Sequence, residues 1–266
     1  MLKCNKQLNM KNTLKKILVF SITAALFTAC ANEELTPYYS EQEAGKVVIR
    51  GYNASQDSIQ INVNDKLLEI DKNSAFIKKI IKDYDFVYYT KTVKNIKIIN
   101  KVTGEILHTY DFTVQTPIDT LSFYYKSGFW IDNVLSFKPS ILSQSGLTCY
   151  KFIFPTLNRY SNSGYNGTLD GIIRKTNGQQ LGIVENIGKT EFSTFLEFPF
   201  SAPPILKMEL VKHGTTESYI PGQQVFVTMV MSSNKSRLVV LEEKADSGEK
   251  FSGVDGTIDL VDYFDF

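Results

Sequence analysis

The residues best suited to bind a ligand are aromatic and lie in one segment, Phe123-Tyr124-Tyr125-Lys126-Ser127-Gly128-Phe129-Trp130, with the only tryptophan of the chain. In a strand, Tyr124 and Tyr125 point to opposite faces, and Gly128 favours a turn just before Trp130. Exposed tyrosine and tryptophan rings form flat platforms on which sugar rings pack. We therefore predict Tyr124, Tyr125 and Trp130 as ligand-binding candidates. A place for these rings in a β-sandwich core is the favoured alternative.

A second aromatic group lies in residues 158–167, a polar segment rich in serine, asparagine and glycine. Tyrosine beside such residues makes adaptable contact surfaces in binding proteins. Tyr160 and Tyr165 are therefore further ligand-binding candidates, although an ordinary long surface loop has the same composition.

Catalytic groups are sparse. The chain has two histidines, His108 and His213, and the sequence contains no HExxH, CxxC or G-x-S-x-G motif. Residues 255–259, Asp-Gly-Thr-Ile-Asp, lack the ligand order of a calcium-binding loop. We predict no catalytic residues, no metal site and no cofactor. A small surface hydrolase with two carboxylates from distant positions remains the minor alternative.

The first thirty residues give the clearest indication of where the protein is located in the cell. Lys11, Lys15 and Lys16 precede an apolar run from Ile17 to Phe27, and Thr28-Ala29-Cys30 follows. The apolar run is shorter than the about 20 residues that cross a hydrocarbon core, which favours a cleaved signal. Residues 26–30, Leu-Phe-Thr-Ala-Cys, resemble a bacterial lipobox, with phenylalanine where leucine is commoner. The resemblance implies cleavage before Cys30 and lipid on its sulfur, and several acyl chains give stable membrane anchoring.

The residues after Cys30 refine this address. Ala31-Asn32-Glu33-Glu34 resembles the surface-export signal of Bacteroidota lipoproteins, and Ala31 is not the aspartate that retains many lipoproteins in the inner membrane. The resemblance implies an outer-membrane location, with display on the cell exterior favoured over a periplasmic orientation. A solvated flexible tether over residues 30–43 is the alternative for the same composition. Residues 1–9 precede a second methionine and represent either a long basic region or an extended gene start.

Removal of residues 1–29 would leave 237 residues with 24 basic and 28 acidic side chains, a net charge of −4. An acidic chain lacks the basic surface that nucleic acids require, so we predict no nucleic-acid partner. Cys4 would be cleaved and Cys30 acylated, so Cys149 is left without a disulfide partner. Its apolar, strand-like surroundings predict a buried, unreactive thiol.

The fold is predicted as all-β, because short alternating runs rich in tyrosine, phenylalanine, isoleucine, valine and threonine recur between turn residues. Residues 58–63 alternate cleanly, and residues 102–112 read as a hairpin. Thr116-Pro117 breaks the pattern. We predict two tandem immunoglobulin-like or related β-sandwich units, a small one over residues 44–115 and a larger one over 118–266. Residues 47–64 faintly resemble small β-sandwich modules of secreted bacterial proteins.

Residues 75–84 are ambiguous, because their apolar positions fit a short helix capped by Ser74 as well as short strands. Asp57-Ser58-Ile59 and Asp119-Thr120-Leu121 resemble the O-glycosylation acceptor pattern of Bacteroidota secreted proteins. The resemblance implies Ser58 and Thr120 as candidate acceptors.

Together these features predict an outer-membrane lipoprotein that acts as a non-catalytic binding or accessory module for a glycan or an envelope protein. The alternative from a different class is a structural or assembly lipoprotein without a small-molecule ligand.

Overall fold

The computed structural model describes residues 42–70, 77–89 and 93–266. Strands dominate, and the helical elements among these residues are two short 3-10 turns, Val134–Ser136 and Leu260–Asp262. In chain order the strands are β1 Gln42–Asn53, β2 Ile59–Val63, β3 Lys66–Leu68, β4 Lys79–Tyr89, β5 Lys94–Asn100, β6 Ile106–Phe112, β7 Ile118–Lys126, β8 Phe129–Asp132, β9 Leu147–Ile153, β10 Leu169–Lys175, β11 Gln180–Ile187, β12 Leu196–Pro199, β13 Ile205–Lys212, β14 Phe226–Val230, β15 Lys235–Ala245 and β16 Phe251–Asp259.

The first sandwich pairs the sheet β4-β1-β7-β8 with the sheet β3-β2-β5-β6. Alternate positions of β1 and β2 are buried, as expected for strands with one face toward a core. Ile49, Ile61, Ile98 and Phe123 are fully buried and belong to the same apolar cluster between the two sheets.

The second sandwich pairs the sheet β12-β9-β15-β16 with the sheet β11-β10-β13-β14. Its core is a separate cluster that includes the fully buried Phe152, Leu210, Val227 and Leu241. The prediction of an all-β chain with two sandwich units is therefore confirmed.

A third apolar cluster lies between the sandwiches. Residues 121–125 of β7 are all buried, because one face of this strand points into the first core and the other toward the second sandwich. Tyr124 and Ile131 pack there with Leu238 and Val240 of β15. Residues 43–266 consequently form one compact unit.

The first sandwich extends beyond the boundary predicted at Thr116-Pro117, because the strand after that point forms hydrogen bonds with β1. Strand β7 pairs in parallel with β1, with Ile49 opposite Leu121, and the amide of Lys46 donates to the Pro117 carbonyl at 2.7 Å. Strands β7 and β8, which the sequence analysis assigned to the larger unit, thus complete a sheet of the smaller one. That residues 44–115 and 118–266 fold as two separate units stays a prediction.

The ambiguous segment 75–84 is a strand from Lys79 onward, as the start of β4. Ile80 is buried while Lys79 and Ile81 are exposed, the alternation of an edge strand with one face on the core. The helical alternative is wrong for residues 79–84, because pairing with β1 overrides a weak local pattern. Residues 75 and 76 lie outside the described residues. Within the described part of the chain, no helix is long and apolar enough to cross a membrane.

Candidate functional site

Trp130 lies inside a stack of rings. Its indole is parallel to the His108 imidazole, with centroids 4.9 Å apart and an angle of 2°, and lies against Phe123 with centroids 4.5 Å apart. These two stacking contacts leave the half-buried indole little free face for a ligand. A sugar ring needs one free face, so the candidate site is built without Trp130.

The surroundings of Trp130 close one side of the first sandwich. Asp132 accepts a hydrogen bond from the Tyr110 hydroxyl and lies 3.5 Å from His108 Nε2. These residues belong to β6 and β8, the edge strands of the two sheets, so the cluster joins the sheets at that edge. Burial, and then the Asp132 carboxylate, raise the pKa of Tyr110, which keeps its hydroxyl protonated as a donor.

Tyr124 and Tyr125 are 1% and 8% exposed. Tyr124 packs between the sandwiches, whereas Tyr125 packs in the first core beside Trp130. In this geometry both rings are buried in packing contacts. A ligand-binding role for either residue stays a prediction.

The loop of residues 156–165 is held by Glu243, a carboxylate that is 3% exposed. The amides of Asn158, Tyr160 and Ser161 donate to its two oxygens at 3.1, 2.7 and 3.0 Å. The Tyr219 hydroxyl donates to it at 3.0 Å, so one buried side chain shapes the loop.

Tyr160 and Tyr165 are both half-buried in this loop but serve different contacts. The Arg159 guanidinium lies 5.2 Å from the Tyr160 ring centroid, and the Tyr165 hydroxyl donates to the Thr168 carbonyl at 2.9 Å. Each ring already has a cationic neighbour, Arg159 for Tyr160 and Lys212 for Tyr165. A ligand-binding role for the two tyrosines stays a prediction.

His213 pairs with Asp170, which is 6% exposed, through Nδ1 at 2.8 Å. Burial acts to raise the pKa of Asp170, but hydrogen bonds from the Gly214 amide, His213 and the Asn186 amide outweigh it and lower that pKa. The hydrogen bond and charge of Asp170 raise the pKa of His213 above 6.5. The pair anchors a turn, and no group of three or more metal-ligating side chains occurs among the described residues.

The most suitable ligand site is a groove at the junction of the two sandwiches, formed by residues far apart in the chain. Tyr52 comes from the end of β1 and Tyr263 from the segment after β16. Their ring centroids are 4.4 Å apart at an angle of 52°, and both residues are half-buried. The rings pack against Tyr124 beneath them, which fixes their positions.

Buried polar side chains position the two ends of this groove. Asp259 is 5% exposed, accepts from the amides of Leu238 and Val261 at 3.0 and 3.2 Å, and caps the turn that leads to Tyr263. Burial raises the pKa of Asp259, and Arg237 Nε lies 3.0 Å from its other oxygen. The structure thereby ties the chain segment that carries Tyr263 to β15.

On the other side, Asn53 is fully buried and its side chain organises the loop after β1. Its amide group donates to the Asp57 carbonyl at 2.8 Å, and its oxygen accepts from the Ser55 amide at 3.0 Å. This arrangement turns Gln56 outward as an exposed side chain in the groove.

The groove consists of two pockets that share Tyr263 as a lining residue. The larger part has a cavity volume of about 540 Å³, is open to solvent and is lined by Tyr52, Ala54, Ser55, Gln56, Lys78 and Tyr263. The smaller part has a cavity volume of about 80 Å³ and is lined mostly by β1, β4 and the C-terminal segment, with Arg50, Lys79 and Asp265 as its charged residues. Two aromatic rings thus stand beside amide, hydroxyl and ammonium groups.

The sequence analysis missed this site. It did not single out Tyr52 or Tyr263, and only the contact between the sandwiches brings these two residues together. The available signal was the group of aromatic residues at positions 263–266, of which Phe264 is buried in the cluster between the sandwiches while Tyr263 is half-buried.

The remaining predicted sites have simple positions. Ser58 is half-buried and Thr120 is exposed, and their glycosylation stays a prediction. Cys30 lies outside the described residues. Cys149 is confirmed as a buried free thiol, and burial raises its pKa, which favours the unreactive form.

No protein-family model and no curated protein matches the sequence. Among solved structures, the chain is similar to the Bacillus anthracis TIE protein, with 8% identity, a TM-score of 0.25, 80% of this chain covered and 34% of that one. It is also similar to a family 41 carbohydrate-binding module from streptococcal virulence factors that recognises α-glucan, with 14% identity, a TM-score of 0.23, and 79% and 97% covered. A third is a family 26 carbohydrate-binding module from Eubacterium rectale in complex with maltoheptaose, with 10% identity, a TM-score of 0.21, and 79% and 93% covered.

The chain spans about a third of the TIE protein. At these TM-scores the likenesses are too loose to assign a function to this chain.

Proposed function

We propose that this protein is a non-catalytic carbohydrate-binding module and that the groove between its sandwiches is the binding site. The observation that carries the proposal is the pair of half-buried tyrosines, Tyr52 and Tyr263, beside the exposed side chains of Gln56 and Lys78. Sugar rings have apolar faces that pack on aromatic rings and hydroxyl edges that need hydrogen-bond partners. The groove offers both kinds of contact within one surface.

The charged residues of the groove favour binding over hydrolysis. Among the described residues that line it, Asp265 is the only carboxylate, and it is 93% exposed. Hydrolysis of a glycosidic bond generally uses two carboxyl groups that flank the scissile bond.

We further propose that lipid on Cys30 holds this module at the outer membrane, facing the cell exterior. The support is the lipobox-like segment and the acidic pair Glu33-Glu34. Radiolabelled palmitate should enter the wild-type protein and not the Cys30→Ala variant, and protease added to intact cells should remove the body of the wild type. Equal labelling of both proteins would contradict the anchor.

A glycan array with the protein from residue 42 onward tests the binding function, with the fold of each variant checked by circular dichroism. Tyr263→Ala should abolish retention on the glycans that the wild type binds, because it removes a ring from the platform. Tyr263→Phe keeps the ring and should retain binding within about threefold.

The matched control is Phe226→Ala, which removes an aromatic ring that is 41% exposed on β14, outside the groove. This variant should bind as the wild type does. Loss of binding in Phe226→Ala but not in Tyr263→Ala would place the site elsewhere, and a wild type that binds no glycan would refute carbohydrate binding.

A further inference from the structure

Among the described residues, Lys78 is the one charged residue that lines the larger part of the groove. Its carbonyl accepts a hydrogen bond from the Asn53 amide at 2.8 Å, which fixes its backbone beside the end of β1. Its side chain is exposed and takes part in none of the ion pairs formed within the described residues. Lys78 thus contributes an exposed cationic side chain to the same pocket as the two tyrosines.

The other cations of the groove have carboxylate partners. Arg50 lies 3.0 Å from Asp83, and Lys79 lies 3.3 Å from Asp265. The Lys79–Asp265 pair is largely exposed, and such pairs contribute little to stability, so an anionic ligand competes for Lys79 at small cost. At Lys78 an anionic ligand would have no carboxylate partner to displace among the described residues.

This local charge is opposite in sign to the net charge of residues 30–266. Those residues include 24 basic and 28 acidic side chains, whereas the described residues that line the two parts of the groove include three cations and one carboxylate. A groove with charge opposite to that of its surroundings attracts ligands of the opposite sign.

We infer that the carbohydrate is anionic and that Lys78 binds its carboxylate while Tyr52 and Tyr263 contact the ring. This inference rests on the proposed carbohydrate-binding function and adds the chemical class of the sugar. It makes Lys78 a specificity-determining residue, because the tyrosines alone accept neutral and acidic rings alike.

The test is isothermal titration calorimetry with matched oligosaccharides: oligogalacturonate, oligoalginate and chondroitin oligosaccharides, each beside its carboxyl-reduced, neutral counterpart. The wild type should bind at least one acidic form about five- to tenfold more tightly than its counterpart, the effect of one charge contact in a solvated groove. The preference should shrink as salt rises from 50 to 500 mM.

Lys78→Gln should remove the preference and keep the affinity for the neutral form, whereas Lys78→Arg should keep the preference. Lys250→Gln, at an exposed lysine in the turn between β15 and β16, is the control and should behave as the wild type. Equal wild-type affinity for both forms, or a preference that survives Lys78→Gln, would overturn the inference and leave carbohydrate binding intact. Absence of binding to every acidic and neutral form would count against the proposed function itself.

Discussion

Three buried carboxylates, Asp170, Glu243 and Asp259, each hold a loop by accepting hydrogen bonds from backbone amides. The sequence analysis assigned no structural role to any of the three. Most of their partners are backbone amides that are distant in sequence, and backbone amides carry no sequence signal; only Asp259 also has a near partner, the amide of Val261. Glu243, for example, lies 82 residues from Ser161.

Glu243→Ala should lower the free energy of unfolding by about 3 kcal/mol, because it leaves several buried donors without an acceptor. The exposed Glu191 provides the control, and Glu191→Ala should change stability by less than about 0.5 kcal/mol. Urea denaturation measures both values. Equal effects of the two substitutions would show that Glu243 does not organise its loop.

The His213–Asp170 pair predicts a pH dependence. Because the pKa of His213 is raised in the folded state, the contribution of His213 to the free energy of unfolding is complete below pH 6.5. It is lost as the pH rises through the folded-state pKa of His213. The lowered pKa of Asp170 means that its contribution is complete above pH 3.8 and is lost as the pH falls. The pair therefore stabilises the fold most between these two values.

Urea denaturation of the wild type and His213→Gln at pH 5.5 and 8.5 checks this prediction. The stability difference between the two proteins should be larger at pH 5.5. A difference that is equal at both values, or larger at pH 8.5, would contradict the assigned ion pair.

Among the elements, the β7–β8 hairpin joins the two sandwiches. Its Lys126 lies 2.5 Å from Glu242, and its Gly128 has a φ of +94° with the Arg159 guanidinium packed on it. The sequence analysis recognised the strand and the glycine turn, and it favoured a core position for the aromatic residues over an exposed platform. The second sandwich covers the face of β7 that does not point into the first core. The alternation of apolar and polar residues within one strand gives no information about such a distant partner.

Gly128→Ala should destabilise the protein more than Gly104→Ala. Both glycines have positive φ, so both substitutions cost about 1 kcal/mol of backbone strain. A Cβ at position 128 would lie 2.0 Å from the Arg159 guanidinium, the end of a flexible exposed side chain that must then move off the hairpin, whereas position 104 is open, so Gly128→Ala should cost about 0.5 kcal/mol more. Thermal denaturation gives the comparison, and equal costs would show that Arg159 does not pack on the hairpin.

For the whole molecule, the apolar cluster between the sandwiches predicts cooperative unfolding. Scanning calorimetry should show one transition whose calorimetric and van 't Hoff enthalpies agree. Tyr124→Ala removes a ring that is 1% exposed at this contact and should cost about 3–5 kcal/mol. Two separate transitions in the wild type would contradict the prediction and favour independent units.

The same contact explains which parts of the molecule the sequence predicted. The all-β class follows from local alternation, as in Ser58–Val63, and needed no tertiary information. The groove depends on the approach of Tyr263 to Tyr52, residues joined only through the packing of two sandwiches.

The most direct test of the groove as the binding site is hydrogen–deuterium exchange with and without the tightest-binding oligosaccharide from the array. Binding should slow amide exchange in residues 50–56, 78–81 and 260–266 and leave β13 and β14 unchanged. Protection confined to β13 and β14, or to the loop of residues 156–165, would contradict the account.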